Sequence, residues 1–231
     1  MAREAVIVGV GDVPLEDGKV VGCGSVLQVQ ARAAKAALDD AGIPMSEVDG
    51  LLCAGLWGVP GPGQLPTVTL GEYLGIHPRF VDATNIGGSA FEAHVAHAAM
   101  AIERGYCDVA LVVYGSTQRS ERSRSLGGRP ATLTMQFENI WGIPQPVGGY
   151  ALAARRHMHE HGTTEEQLAE IAVATRKWAQ LNPQATRKED MTIDDVMASM
   201  PIADPLKLFD CCLVTDGAGA VVVTTAENAK A

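Results

Sequence analysis

The stretch from Asp82 to Gly105, DATNIGGSAFEAHVAHAAMAIERG, limits more than any other what this chain can fold into. It begins as a short extended run over residues 79–84 and passes through an elbow of mostly small residues at 86–89. From Ala90 onwards the residues predict a helix that nothing interrupts before Gly105. Alanines dominate this helix, so neighbouring layers of a structure can approach it closely on two sides.

The elbow places two glycines and a serine at the N-terminus of the predicted helix. The first backbone N–H groups of a helix have no partner within it, and the positive end of the helix dipole lies there. Such a position suits an anion, a thioester oxygen or an activated nucleophile. An ordinary buried helix after a tight turn is the simpler interpretation, and both stay open on this stretch alone.

Strand and helix patterns alternate over the first 116 residues. Apolar runs predict strands buried on both faces at residues 4–10 and 50–56, and a further strand at residues 107–113. Residues 12–24, with three glycines, one proline and little periodicity, predict a loop. The next helix is predicted to begin after Ser25. This order favours an α/β fold with a parallel-type sheet and right-handed crossovers.

The composition changes after residue 116. Residues 117–207 predict a mostly helical excursion, with one helix starting at Tyr150 and another after a capping pattern at residues 163–166. The run DGAGAVVVTT then predicts a strand that returns to the sheet. We therefore expect a core formed by residues 1–116 and 208–231, and an inserted loop domain at 117–207.

Composition and charge exclude several classes of function. Hydrophobic residues make up 47% of the chain and charged residues 19%, which is typical of a packed globular protein. Aromatic residues make up only 5% and the net charge is −9, which disfavours nucleic-acid and anionic-membrane surfaces. No apolar run has the length of a transmembrane helix. Five cysteines without metal spacing, and no secretory leader pattern, predict reduced thiols and a cytoplasmic protein.

Histidines and arginines form groups with weaker predictions. His157 and His161 share a helix face, as metal ligands do, but their place near a helix C-terminus favours a dipole interaction, and no metal site is expected. His94 and His97 are predicted to be packing or interface residues. A solvated loop or a phosphate-binding loop would both account for four arginines, Arg119, Arg122, Arg124 and Arg129.

Four segments follow one another in an order that is more specific. They are DATNIGGSA, CDVALVVYGS, YALAARRHMHEHGTT and LFDCCLVTDGAGAVVV. Together they resemble the N-terminal half of the thiolase superfamily, and most of all the sterol-carrier-protein-type thiolases and thiolase-like lipid-transfer proteins. The resemblance covers essentially the whole chain. It implies an α/β, layered fold in which a βαβαβαββ half carries an inserted, mostly helical loop domain.

The resemblance also shows a departure at the elbow. Thiolases carry an acyl-accepting cysteine there, in the pattern Asn-x-x-Cys. Asn85 matches the asparagine, Ile86 and Gly87 fill the spacers, and Gly88 stands in the place of the cysteine. Ser89 follows, but a serine hydroxyl needs a nearby base and none is identified. We therefore expect no acyl-cysteine intermediate and no ordinary thiolysis.

The resemblance implies a reaction and a set of site residues. Cysteine-less members that resemble this chain act as aldolases, so we expect retro-aldol cleavage of a lipid or steroid side-chain CoA thioester. Coenzyme A enters as part of the substrate, and no separate cofactor is expected. Candidate catalytic residues are Gly88, Ser89 and Tyr150. Candidate substrate-binding residues are Asn85, Gly87, Gly148, Gly149, Arg119 and Arg122. The alternative is a non-catalytic subunit that binds lipid or acyl-CoA, or a scaffold subunit paired with an active thiolase.

Partners follow from the same resemblance. The strand before the elbow, at residues 81–84, is expected to form a homodimer contact, because an open sheet edge leaves backbone groups unpaired. The motifs of the second thiolase half have no counterpart in this sequence. We therefore expect either a missing C-terminal segment or a separate subunit that forms the C-terminal thiolase half. The resemblance also implies a small OB-fold acyl-CoA-binding protein as a partner. An acyl-CoA is the expected substrate, and neither nucleic acid nor a membrane is expected to bind.

Overall fold

A computed structural model describes residues 3–22, 24–54, 63, 65–121, 135–143 and 146–230. The chain divides into two compact units. The first contains residues 1–123 and 215–231, and the second contains residues 124–214. Within the described ranges, no helix combines the length and the apolar character that crossing a membrane requires.

The helices and strands are numbered in chain order. In the first unit they are β1 (Ala5–Asp12), β2 (Leu15–Glu16), β3 (Lys19–Val20), α1 (Val26–Ala41), β4 (Gly50–Leu52), α2 (Pro66–Leu74), β5 (Phe80–Asp82), α3 (Ala90–Glu103), β6 (Val109–Ser116) and, after the second unit, β9 (Gly217–Thr225). In the second unit they are α4 (Met135–Glu138), α5 (Val147–His161), α6 (Glu165–Leu181), α7 (Ile193–Ala198), β7 (Pro201–Ala203) and β8 (Leu206–Lys207).

A five-stranded sheet forms the centre of the first unit, in the order β1-β9-β6-β4-β5. Strand β4 runs parallel to both β5 and β6, and β9 runs antiparallel to both β1 and β6. The four strands of this sheet that precede residue 117 therefore share one direction, and the returning strand opposes them. The predicted α/β class and the parallel arrangement of the early strands are confirmed.

Helix α1 covers one face of this sheet at very short range. It begins after Ser25, whose hydroxyl accepts a hydrogen bond from the Gln28 N–H at 3.3 Å, as the capping pattern predicts. A Cβ atom at Gly9 would lie 2.2 Å from the Ala37 carbonyl oxygen, and one at Gly11 would lie 2.4 Å from the Ala37 nitrogen. Glycine at these positions lets the helix lie directly on the strand backbone.

Helix α3 covers the opposite face. Its buried residues Ala98, Ala101 and Ile102 pack against Leu52 and Val112 of the sheet. Met100, on another side of the helix, is exposed in the described part of the chain. The prediction that small residues allow close packing is confirmed on the sheet side.

The structure corrects three predictions about strands and loops. Strand β1 lies at a sheet edge rather than inside, with Ile7 57% and Val10 61% exposed. Residues 12–24 contain the hairpin β2–β3, because Asp17 (φ 46°) and Gly18 (φ 71°) adopt the left-handed turn that Asp-Gly tolerates. Strand β4 ends at Leu52, earlier than predicted. An apolar run does not specify how many neighbours a strand has.

The second unit is mostly helical where it is described. Helix α6 begins with a reciprocal capping box between Thr164 and Gln167, as its sequence predicts. A second box between Thr192 and Asp195 begins α7. Ala169, Val173 and Val196 form the core between these two helices. The secondary structure of the predicted excursion is therefore confirmed for its described helices.

Candidate functional site

The elbow predicted at residues 86–89 also includes Asn85 in the structure, and as residues 85–89 it joins the end of β5 to the start of α3. The Asn85 Oδ1 atom accepts a hydrogen bond from the Gly87 N–H at 3.1 Å. The Gly87 carbonyl accepts one from the Ala90 N–H at the same distance. Gly87 has a φ of 89°, which favours glycine because a Cβ would be strained there. The turn is therefore closed by its own polar groups.

The N-terminus of α3 is open at the elbow. All five elbow residues are exposed. The Gly88 and Ser89 N–H groups make no hydrogen bond to any described residue, and the Ser89 hydroxyl does not cap the helix. A Cβ atom at Gly88 would meet nothing within 4 Å. The elbow thus combines available N–H groups, the positive end of a helix dipole and empty space, which suits a carbonyl or enolate oxygen.

Four polar side chains next to the elbow are joined by hydrogen bonds to one another or to the Thr84 backbone. The Asp82 Oδ1 atom accepts hydrogen bonds from the Thr84 N–H at 2.8 Å and from the Thr84 hydroxyl at 2.7 Å. His97 Nδ1 lies 2.5 Å from Asp82 Oδ2. His94 Nε2 lies 3.0 Å from the Thr84 carbonyl oxygen. We call these residues, Asp82, Thr84, His94 and His97, the Thr84 clamp.

The charges within the Thr84 clamp follow from its contacts. Burial opposes ionisation of Asp82, but the hydrogen bonds from His97 and Thr84 outweigh it, and its pKa lies below the ordinary value. Burial lowers the pKa of His94, although the Asp82 charge and the Thr84 carbonyl act in the opposite direction. His94 is 0% exposed and is therefore neutral near pH 7. Its Nε2 atom carries the proton, because a carbonyl oxygen can only accept.

The C-terminal end of β6 lies at the same edge of the sheet as the elbow. Strands β5, β4 and β6 are parallel, so their C-terminal ends share one edge, the usual place for ligands in α/β sheets. The Phe91 ring of α3 and the Tyr114 ring of β6 meet edge to face, with centroids 4.9 Å apart. The first turn of α3 and the end of β6 are therefore direct neighbours.

Asp216 holds the segment that follows β6. It is buried, and its Oδ1 atom accepts hydrogen bonds from the Arg119 N–H at 3.0 Å and the Ser120 N–H at 2.9 Å. The Ser120 hydroxyl and the Val20 N–H donate to its Oδ2 atom. One carboxylate thereby joins the hairpin, the start of β9 and the segment after β6. Nothing in the sequence pattern distinguished Asp216 from an ordinary turn residue.

Arg119 lies beside the β2–β3 turn. Its guanidinium is 3.4 Å from the Asp17 carboxylate, so it already has an acidic partner. Its predicted contact with a CoA phosphate stays a prediction. Three further arginines of that prediction lie outside the described residues, namely Arg122, Arg124 and Arg129.

The helix predicted to start at Tyr150 begins earlier, at Val147. Gly148 and Gly149 therefore belong to the first turn of α5, and the Gly149 and Tyr150 N–H groups donate to the Pro146 carbonyl at 3.1 and 3.3 Å. Their backbone is helical and does not need glycine. Tyr150 is 69% exposed. These residues belong to the second unit, and their role at the acyl group stays a prediction.

Two of the described cysteines, Cys53 and Cys107, are poor nucleophiles at neutral pH. Burial raises the pKa of Cys53 to about 11, and the pKa of Cys107 also to about 11. The hydrogen bond that Cys53 Sγ accepts from Gln30 Nε2 at 3.3 Å favours the thiolate, but burial outweighs it. The His157 and His161 ring centroids lie 4.6 Å apart with the rings tilted at 47°, but no group of three side chains that could hold a metal ion occurs in the part of the chain that the structure describes.

Comparisons with known proteins agree with this arrangement. Residues 5–227 match the family described as "Thiolase, N-terminal domain". The chain is 34% identical over 240 residues to the 17-hydroxy-3-oxo-4-pregnene-20-carboxyl-CoA lyase of Mycobacterium tuberculosis, covering 100% of this chain and 60% of that protein. It is 32% identical over 214 residues to the steroid side-chain-cleaving aldolase of Thermomonospora curvata, covering 89% of this chain and 54% of that protein.

Solved structures extend the comparison. The structure described as "Ltp2-ChsH2(DUF35) aldolase" has a TM-score of 0.84 and 31% identity, over 98% of this chain and 57% of that chain. Human mitochondrial 3-ketoacyl-CoA thiolase in complex with CoA has a TM-score of 0.68 at 16% identity, over 99% and 66% of the two chains, and shows the fold alone. The chain thus spans little more than half the length of the two curated relatives. The predicted resemblance is confirmed, and the chain belongs to the thiolase family, whose N-terminal domain it contains.

Proposed function

We propose that this chain forms the first half of a carbon–carbon lyase that cleaves the CoA thioester of a lipid or steroid side chain by a retro-aldol reaction. One observation carries the proposal: Gly88 occupies the exposed N-terminus of α3 where the family pattern has a cysteine. The elbow keeps the N–H groups that stabilise an oxyanion but has no thiol to accept an acyl group. The names of two relatives, a lyase and an aldolase, support the same chemistry.

The proposed reaction needs no covalent intermediate. A base removes the proton of a β-hydroxyl group, and the oxygen forms a carbonyl as the Cα–Cβ bond breaks. The electron pair of that bond moves into the thioester, which becomes an enolate. The Gly88 and Ser89 N–H groups, with the dipole of α3 behind them, stabilise the enolate oxygen. Protonation at Cα then gives a shorter acyl-CoA, and the other product is a ketone.

The remaining site residues take supporting roles in the proposal. Asn85 and Gly87 fix the shape of the elbow, and the open space at Gly88 admits a branched substrate carbon. Tyr150 is the candidate for proton transfer near the acyl group. The residues proposed to line the path of the acyl-CoA are Gly148, Gly149, Arg119 and Arg122. Coenzyme A is part of the substrate, and the reaction as written needs no further cofactor.

We also propose that the chain acts in an assembly. Strand β5 lies at an edge of the sheet and Val81 is exposed on it, so pairing two copies about a two-fold axis would satisfy both edges. The description of one similar structure names two components, which supports a second partner here, either an OB-fold acyl-CoA-binding protein or a C-terminal thiolase half. Light scattering at micromolar concentration tests the homodimer, and a monomer would count against it.

The test of the reaction is direct. The purified protein, with and without candidate partners, is incubated with a steroid side-chain CoA thioester that carries a β-hydroxyl group. We expect a ketone and a shorter acyl-CoA by mass spectrometry, without added free CoA. Gly88→Leu should lower kcat/KM at least about tenfold because it fills the space in front of the N–H groups. Glu103→Gln, at the other end of α3, is the matched control and should leave the rate unchanged.

Two outcomes would decide against the lyase. Tight binding of the thioester without cleavage, in every combination of partners, would favour the non-catalytic subunit. Rapid CoA-dependent cleavage of a 3-ketoacyl-CoA would indicate thiolysis and overturn the retro-aldol reaction.

A further inference from the structure

Thr84 is held on both sides of its backbone by side chains. Its N–H group donates to Asp82 Oδ1 at 2.8 Å, and its carbonyl accepts from His94 Nε2 at 3.0 Å. Asp82 is the last residue of β5, and His94 lies in the second turn of α3. Since Thr84 is the last residue before the elbow, these two bonds fix the peptide planes from which the elbow departs.

A second contact reinforces the first. His97 lies one turn beyond His94 on α3, and its Nδ1 atom contacts the other carboxylate oxygen of Asp82 at 2.5 Å. The carbonyl of Asp82 accepts a hydrogen bond from the Cys53 N–H at 3.1 Å, which joins it to the segment after β4. Helix α3 therefore holds Thr84 twice, once directly and once through a carboxylate that is itself fixed to the sheet.

Packing alone does not explain why a histidine lies at position 94. It is completely buried beside the Phe91 ring, and its Nδ1 atom has no hydrogen-bond partner among the described residues. Burying a polar ring with one unpaired nitrogen is unfavourable compared with an apolar side chain of similar size. The one bond that it does make, to the Thr84 carbonyl, is therefore what this residue contributes that a leucine would not.

We propose that His94 is a positioning residue for the lyase, which orients the elbow N–H groups by holding the Thr84 carbonyl. The inference rests on the proposed function, and it adds a residue outside the elbow to it. The hydrogen bonds of Asn85 and Gly87 determine the shape of the turn, and the Thr84 clamp attaches the strand side of that turn to α3. Two glycines in the elbow would otherwise allow its peptide planes many orientations.

The experiment compares two amide substitutions that differ in reach. His94→Gln places its side-chain NH₂ near the position of Nε2, where it can still donate to the Thr84 carbonyl. His94→Asn has the same chemistry but is one methylene too short. Met100→Leu, on an exposed side of α3, is the control. Amide hydrogen exchange is measured at Thr84, Gly87 and Ala90, and for comparison along β9.

We expect His94→Asn to speed exchange at the three elbow amides about fivefold, the effect of losing one hydrogen bond, with β9 unchanged. With the substrate of the proposed reaction, kcat should fall about tenfold and KM should stay within about twofold, because N–H groups that meet the enolate act in the transition state. His94→Gln retains the donor, so its elbow exchange rates and its kcat should stay close to those of the parent.

Each other outcome has a defined meaning. Unchanged elbow exchange in His94→Asn would overturn the positioning role, whatever the activity of the parent. Faster exchange at the elbow and along β9 together would show that His94 only supports the fold, and would also overturn it. Equal effects of the Gln and Asn substitutions would contradict the reach argument. Faster elbow exchange in a protein whose parent cleaves nothing would support the clamp and overturn the lyase.

Discussion

Helices α1 and α3 cover opposite faces of the same sheet, and they do so in opposite ways. On the α1 side, backbone meets backbone: Gly9 and Gly11 leave no room for a single Cβ atom. On the α3 side, the buried His94 and the half-buried His97 join the helix to Thr84 and Asp82, and the helix N-terminus opens at an exposed elbow. One face of the sheet is packed by direct backbone contact, and the proposed chemistry belongs to the other.

Glycine has opposite uses on the two faces. On β1 it removes a side chain so that two backbones can touch, which requires it for stability. At Gly88 a Cβ would meet nothing within 4 Å, and in the proposed reaction this open space admits the substrate. The comparison predicts that equivalent substitutions on the two faces will differ greatly in their effect on folding.

The largest difference is expected between Gly11→Ala and Gly88→Ala. A methyl group at Gly11 would lie 2.4 Å from the Ala37 nitrogen and 2.5 Å from the Ala33 carbonyl oxygen, so α1 must move away from β1. We expect the free energy of unfolding to fall by about 3 kcal/mol for Gly11→Ala and to change by less than about 0.5 kcal/mol for Gly88→Ala. Urea unfolding followed by circular dichroism measures both.

An equally small loss of unfolding free energy in the two variants would show that the close contact between α1 and β1 relaxes without cost. A large loss in Gly88→Ala alone would show that the elbow is packed rather than open, and would remove the space that the proposed reaction uses.

A smaller difference is expected in thiol reactivity. Gly88→Cys places a thiol at the N-terminus of α3, where the dipole and the exposed N–H groups favour the thiolate. Cys53, the residue that follows β4, is buried, and its pKa is about 11. We expect the new cysteine to react with iodoacetamide at pH 7.5 more than about tenfold faster than Cys53, by peptide mass spectrometry.

The exposed Cys212 is the internal reference for this labelling. If the new thiol reacts no faster than Cys53, the elbow does not offer an electrostatically favourable position, and its proposed role as an oxyanion site loses support.

Local patterns in the sequence specified most of the elements. Ser25, Thr164 and Thr192 each precede a helix and cap it with a side-chain hydrogen bond, so these starts could be predicted from residue type and spacing. The elbow could be predicted because glycines separate an extended run from an alanine-rich one. These features depend on residues close together in the chain, and a sequence shows them directly.

Features that depend on distant residues could not be predicted. The apolar run of β1 does not reveal that it pairs on one side only, with β9 more than 200 residues later. Asp82 and His97 are 15 residues apart, and only the turn of the chain at the elbow brings them together. The Asp216 carboxylate accepts hydrogen bonds from the N–H groups of Arg119 and Val20, and these three residues come from separate parts of the sequence. Without the fold, each is an ordinary polar residue.

The smallest expected effect is on the pH dependence of stability, and it concerns the α3 side of the sheet. Burial lowers the pKa of His94 in the folded protein, against the opposing influence of Asp82 and of the Thr84 carbonyl. In the unfolded chain the pKa of this histidine is about 6.5, so below that pH the unfolded state binds more protons than the folded state. The stability that neutral His94 contributes is therefore present above about pH 6.5 and is lost as the pH falls through the pKa of the folded state.

We expect the free energy of unfolding of the parent to decrease from pH 7 to pH 5 more steeply than that of His94→Gln, which cannot titrate. Asp82 retains its own dependence in both proteins, because its lowered pKa affects stability only as the pH falls below about 3.9, the value for an unfolded aspartate. Met100→Leu removes no titrating group, so it should show the slope of the parent. Parallel slopes in the parent and in His94→Gln would mean that folding does not change the pKa of His94, against the expected effect of burial. A parent that loses less stability than His94→Gln as the pH falls would mean that folding raises this pKa. A protonated His94 beside the Asp82 carboxylate would then stabilise the fold at low pH instead of opposing it.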